Sequence, residues 1–213
     1  MIDLSDPAQA VASLAAKLPA LLIAVTAHEV AHAVVADRLG DPTPRLAGRI
    51  TANPLPHIDP LGAIAFVVAG FGWAKPVPVS ASNFRRPARD MALVAGAGPV
   101  ANFIVAFIAL VVLVPTRRAL GAEGGGDLIA HLLLLVFQFN LALGIFNLIP
   151  LPPLDGGHFL AVVLPGSAWL ATLEQYGSIV LLVLVVSGAT RYVVGPVFDA
   201  LTQVYVALLR MIF

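Results

Sequence analysis

The apolar residues of this chain run in long blocks, separated by short polar breaks rich in proline and glycine. Blocks of this length predict helices that cross a bilayer, not the striped helices of a soluble core. The first covers Leu18–Leu39, with Pro19 starting or kinking it and Gly40 and Pro42 as stop signals. Before it, Pro7–Lys17 is mildly apolar and is expected as an interfacial helix. Asp41–Asp90 is the most polar stretch and carries Arg45, Arg49, Lys75, Arg85, Arg86 and Arg89. Within it, Leu61–Gly72 is apolar but too short for a span, which predicts a re-entrant or interfacial segment. Trp73 and Lys75 then suit an interface, and the prolines of Ala74–Val79 predict an extended backbone. Met91–Val114 is a second span, with Gly96, Gly98 and Ala101 allowing close helix approach. A glycine-rich loop over Pro115–Asp127 leads to the span Leu128–Ile149. Helical structure must break at Pro150–His158, where prolines cluster. Trp169–Ser187 is a further span, and Tyr192–Phe213 a last apolar segment interrupted by Gly195-Pro196. The fold class is therefore all-α: a polytopic membrane protein with a bundle of about four to six transmembrane helices. A re-entrant or extended segment lies between the first two main spans. No internal repeat or soluble module is visible, so residues 1–213 are expected to form one integral-membrane domain.

Composition agrees with this pattern. Only 11% of residues are charged and 59% are hydrophobic, whereas a soluble domain carries about 25% charged residues. A formal net charge of zero gives no footprint for nucleic acid. The chain has no cysteine, which leaves His, Asp and Glu as the ligands a metal could find. Asp3 and Asp6 stand where a secretory signal would be basic.

Against this background the polar residues inside the blocks stand out. The first span contains His28-Glu29-Val30-Ala31-His32. On a helix His28 and His32 lie about 40° apart, on one face, with Glu29 beside them. Two imidazoles at this spacing can hold zinc, and the glutamate can take a proton from the zinc's water. Each ionisable residue near a span centre costs about 2.5–3.5 kcal/mol, so three within five positions imply a metal, a partner or water.

A catalytic zinc takes three protein ligands and keeps one open position. Asp155 is the best third candidate, in a segment whose broken backbone must line protein or a cavity. The alternative is an aspartate capping the helical segment Gly156–Leu164. The positive-inside rule places Asp41–Asp90 in the cytoplasm, which brings His28, His32 and Asp155 to the same side of the membrane. Asn102 and Asn147 are either glue between helices or amide donors that hold substrate or stabilise an oxyanion. Gln138 and Asn140 are expected as interhelical glue. His57 is expected to be a solvated or hydrogen-bonded loop residue, His158 a neighbour of the Asp155 turn, and His131 interfacial.

Taken together, His28-Glu29-Val30-Ala31-His32, Gly98-x-x-x-Asn102 and Asn147-x-x-Pro150-x-x-x-Leu154-Asp155-Gly156 resemble the three hallmark motifs of the site-2 protease family of intramembrane zinc metalloproteases. Asn53-Pro54, His57-Ile58-Asp59-Pro60 and Gly72–Val79 resemble its small, standalone prokaryotic branch; unlike larger relatives, the sequence is expected to hold neither a PDZ nor a CBS module. The resemblance implies one zinc ion per chain held by His28, His32 and Asp155, with Glu29 as general base. It implies that Asn102 and Asn147 position substrate or stabilise the intermediate. The implied substrates are transmembrane segments of other proteins, cleaved in the bilayer of a prokaryotic plasma membrane with the active site towards the cytoplasm. Two other classes fit the same polar set: a metal transporter using His/His/Asp, and a proteolytically silent membrane adaptor.

Overall fold

The computed structural model describes residues 7–69, 72–120 and 125–213. These residues are mostly helical, and no strand is present among them. Eight helices follow in order: α1 (Pro7–Arg38), α2 (Thr43–Leu46), α3 (Pro60–Ala69), α4 (Pro87–Leu120), α5 (Gly125–Asn147), α6 (Asp155–Val163), α7 (Ala168–Val186) and α8 (Thr190–Ile212). Five of them, α1, α4, α5, α7 and α8, are long and apolar enough to cross a membrane, within the expected range. At ten residues α3 is not, which agrees with its reading as a segment shorter than a span.

The boundaries differ from expectation where prolines were read as breaks. Pro7–Lys17 is not a separate interfacial helix but the first part of α1, which runs through Pro19. Likewise α4 passes through Pro99 and Pro115 and ends at Leu120, so the expected loop from Pro115 begins later. Within apolar surroundings the rest of the ladder has no water to turn to, and one missing N–H is absorbed without ending the helix. At its start α4 has Pro87 in the first position, and the Arg86 backbone N–H donates to Asp90 Oδ2 at 3.0 Å. Residues 121–124 of the expected loop, 70–71 of the short apolar segment, and Asp3 and Asp6 lie outside the described residues.

α4 is the central element and packs mainly against α5 and α1. Ala20 of α1 joins Ala106, Ala109 and Leu110 of α4, Leu135, Val136, Phe137, Leu141 and Ile145 of α5, and Leu209 of α8 in one buried cluster. Small residues on α1 and α4 against large ones on α5 let the helices approach closely, as packing within lipid favours. α8 is pinned to α4 by Tyr205, whose hydroxyl donates to the Phe103 carbonyl at 3.0 Å.

Asp41 holds the polar stretch together from its two ends. It is fully buried; Oδ1 accepts from the Thr43 backbone N–H at 3.1 Å and Asn83 Nδ2 at 2.7 Å, and Oδ2 from the Ser80 N–H at 2.7 Å. Burial alone would raise its pKa, but these donors outweigh that and hold the carboxyl below its ordinary value. Between these ends the backbone of Ala74–Val79 lies outside any helix, as its prolines predict. Ala74 pairs with Ile58 in an isolated antiparallel bridge, and the Lys75 N–H donates to the His57 carbonyl at 2.9 Å.

Candidate metal centre

α1 presents His28 and His32 from one buried face, with ring centroids 4.5 Å apart. Each ring has its Nδ1 committed. His28 Nδ1 lies 2.7 Å from Asn102 Oδ1, and His32 Nδ1 lies 2.7 Å from the Val94 carbonyl of α4. A carbonyl only accepts, so the His32 Nδ1 carries its proton. The Asn102 amide is oriented by its other end: Nδ2 donates to the Ala24 carbonyl and to Asn140 Oδ1, both at 2.9 Å. That leaves Oδ1 towards His28, whose Nδ1 is therefore the donor as well. Neutral rings held in this tautomer offer their Nε2 lone pairs, as ligating histidines do when a neighbour holds the other nitrogen.

Both Nε2 atoms point at Asp155, the first residue of α6. Asp155 Oδ2 lies 3.1 Å from His28 Nε2 and 3.4 Å from His32 Nε2. The three ligand atoms lie within 4.8 Å of one another. Among the described residues, Oδ2 is buried without a hydrogen-bond donor. Three electron-pair donors converging out of water require a cation or a proton between them. Two imidazoles and a carboxylate, with no thiolate in the chain, suit zinc, and three protein ligands leave its fourth position open.

The surrounding sequence serves this convergence. A Cβ on Gly98 would lie 2.5 Å from His28 Cε1 and 2.6 Å from His32 Nε2, so α4 must be bare there for the imidazoles to fit. On another side of α4, a Cβ on Gly96 would meet Phe159 of α6 at 3.3 Å. The two glycines expected to admit a neighbouring helix therefore admit two different ones, and Asp155 is carried in by the second.

Glu29, next to His28, is buried and faces Arg49, with 3.9 Å between Oε2 and a terminal guanidinium nitrogen. Of the two readings of Asn102, the hydrogen bonds fit the one between helices and not the donor to substrate or oxyanion: both its amide hydrogens are taken by α1 and α5, and its oxygen fixes His28. Asn140 is the interhelical glue expected, bonding Asn102, and its own Nδ2 donates to Val136 at 2.8 Å. Asn147 Nδ2 donates to the Leu143 carbonyl of its own helix at 3.0 Å. Nor does Asp155 cap α6; Leu154 occupies that position, and the carboxylate is free for the histidines. His57 is fully buried, not solvated, and its Nε2 bonds the Thr51 carbonyl at 3.0 Å. His131 and His158 are exposed and outside the group of three. Two participants escaped the sequence reading. The Val94 carbonyl is a backbone atom with no residue signature, and Arg49 was one loop arginine among several.

Comparison with known proteins points to one family. Residues 125–188, which include Asp155, match the family described as Peptidase family M50. A Bacillus subtilis (strain 168) protein named "Putative zinc metalloprotease YwhC" is 43% identical over 185 residues, covering 84% of each chain. A Mycolicibacterium smegmatis protein named "Putative zinc metalloprotease Rip2" is 31% identical over 174 residues, covering 79% of this chain and 65% of its own. No solved structure matches the chain.

Proposed function

Because the chain belongs to peptidase family M50, the site-2 protease family of zinc metalloproteases, we propose that it is an integral-membrane endopeptidase cutting transmembrane segments of other proteins. The observation that supports this reading best is the convergence of His28 Nε2, His32 Nε2 and Asp155 Oδ2 at a buried point beside Glu29. His28, His32 and Asp155 would hold one zinc ion. When bound, zinc supplies a Lewis acid for the peptide carbonyl and lowers the pKa of a coordinated water towards about 7. Glu29 takes the proton of the attacking water and passes it to the leaving amine. Val94 and Asn102 keep both imidazoles in the ligating tautomer throughout. The positive residues of Asp41–Asp90 support an orientation with this site towards the cytoplasm of a prokaryotic plasma membrane.

A substrate helix hides its carbonyls in its own hydrogen bonds and must unwind before it is cut. The extended Ala74–Val79 segment would receive the unwound strand. Alternation directs Lys75, Val77 and Val79 to one edge and Ala74, Pro76 and Pro78 to the other. The prolines strip that second edge of donors and Lys75 is already bonded on the first, so Val77 and Val79 are the residues that can pair in both directions. Val77→Pro removes a donor worth about 1 kcal/mol, and KM is expected to rise roughly fivefold at unchanged zinc content. An unchanged KM would move the substrate elsewhere.

The decisive experiment uses the purified chain in vesicles with a single-span test protein whose span contains glycine or proline. About one zinc per chain is expected by elemental analysis. Chelation is expected to stop cleavage and added zinc to restore it. Fully zinc-loaded protein that cuts no such substrate would put the transporter or the adaptor in place of the protease.

A further inference from the structure

Arg49 belongs to the polar stretch after α1, yet only 4% of its surface is exposed. A guanidinium taken out of water needs its charge and its donors met. One of its terminal nitrogens donates to the Lys75 carbonyl, and the same nitrogen lies 3.9 Å from Glu29 Oε2. Its Nε is buried and, among the described residues, has no acceptor. Lys75 is also the residue whose N–H bonds His57, so its backbone is held at both its N–H and its C=O. One side chain therefore touches the carboxylate beside the metal ligands and the extended segment at once. At 3.9 Å the contact with Glu29 is an ion pair and not a hydrogen bond, which leaves the carboxylate oxygens free to take a proton.

We infer that Arg49 is a positioning residue: it fixes the Glu29 carboxylate relative to the Ala74–Val79 segment, so that a strand seated there meets a base at a set place. This rests on the proposed function of Glu29 and of that segment. Both contacts come from one terminal nitrogen, whose place is set by the reach and the plane of the guanidinium. Lysine ends one bond short of that nitrogen and has no planar group to orient it, so it cannot hold both contacts in the same way.

The test is kcat, KM and zinc content for wild type, Arg49→Lys and Arg49→Met, each alone and on a Glu29→Asp background. Arg49→Met is expected to lower kcat by about tenfold or more with KM within about twofold and zinc retained. Arg49→Lys is expected to recover part of kcat. On the Glu29→Asp background, whose shorter carboxylate is already displaced, the same change is expected to cost less than about threefold. Three results would overturn the inference: an Arg49→Met enzyme with unchanged kcat, equal losses on both backgrounds, or kcat and zinc lost together in both Arg49 variants. Should Arg49→Met fail to fold, Arg49→Lys decides, because a folded, zinc-loaded lysine variant with full kcat is equally fatal. A wild type that binds zinc and never cleaves would instead overturn the protease reading itself.

Discussion

Glu29→Gln is expected to keep its zinc and lose cleavage, with kcat down by about a thousandfold. Glutamine matches glutamate in shape but neither takes up nor releases a proton at neutral pH, so the water that attacks the carbonyl has no base. The metal ligands are untouched, since His28 and His32 keep their Nδ1 partners on α4 and Asp155 its place beside them; only the ion pair with Arg49 is lost besides the base. The measurement is turnover of the vesicle substrate alongside zinc content. It also separates the three classes that the polar residues allow. A transporter would retain metal flux and an adaptor its binding, since neither needs a proton acceptor at this position. A Glu29→Gln protein that cuts at the wild-type rate would end the assignment of Glu29 as base.

Asp155→Ala is expected to do the opposite and strip the metal. Without the carboxylate, two imidazoles on one helix remain, and the negative charge that offsets the cation in a buried place is gone. Changes that touch only the partners of metal ligands cost about 10–100-fold in affinity, so loss of a ligand is expected to exceed about 100-fold. The fold should survive. Asp155 opens α6 without capping it, and its favourable place in the first turn is worth about 0.3–1 kcal/mol. Zinc titration against a competing chelator reads the affinity, and circular dichroism of the metal-free protein reads the helices. Unchanged zinc affinity in a folded Asp155→Ala protein would remove this residue from the site and with it the closure between α1 and α6.

Much of this geometry is legible in the sequence. Block hydrophobicity is a strong signal because each span must bury its whole length in lipid, and the five long helices fall where the blocks are. The histidine pair was legible for the complementary reason: polar groups at such depth need a partner. Helix ends were harder, since the prolines at 19 and 115 break helices in water but not in apolar surroundings. The sequence leaves two tasks open for Asn102, because an amide's use depends on which atoms meet it. With Ala24, Asn140 and His28 around it, no donor remains for substrate. Arg49 was visible as a residue but not as a contact, because nothing in spacing along a loop tells which arginine folds inward to Glu29.

The amides on α4 and α5 have one more consequence, for assembly. His28 meets Asn102, Asn102 meets the Ala24 carbonyl and Asn140, and Asn140 meets Val136 of its own helix. In lipid the apolar faces of α1, α4 and α5 would tolerate sliding past one another, because every depth looks alike to a leucine. The amides do not tolerate it. Shifting α4 by one turn against α1 would break three hydrogen bonds with α1, that of His32 to Val94 included, and the one with α5 together, and would leave their groups facing hydrocarbon at about 0.6–2 kcal/mol for each bond. The network thus acts as a key for helix register, and the side chain that sets the tautomer of His28 also sets the depth at which three helices come together.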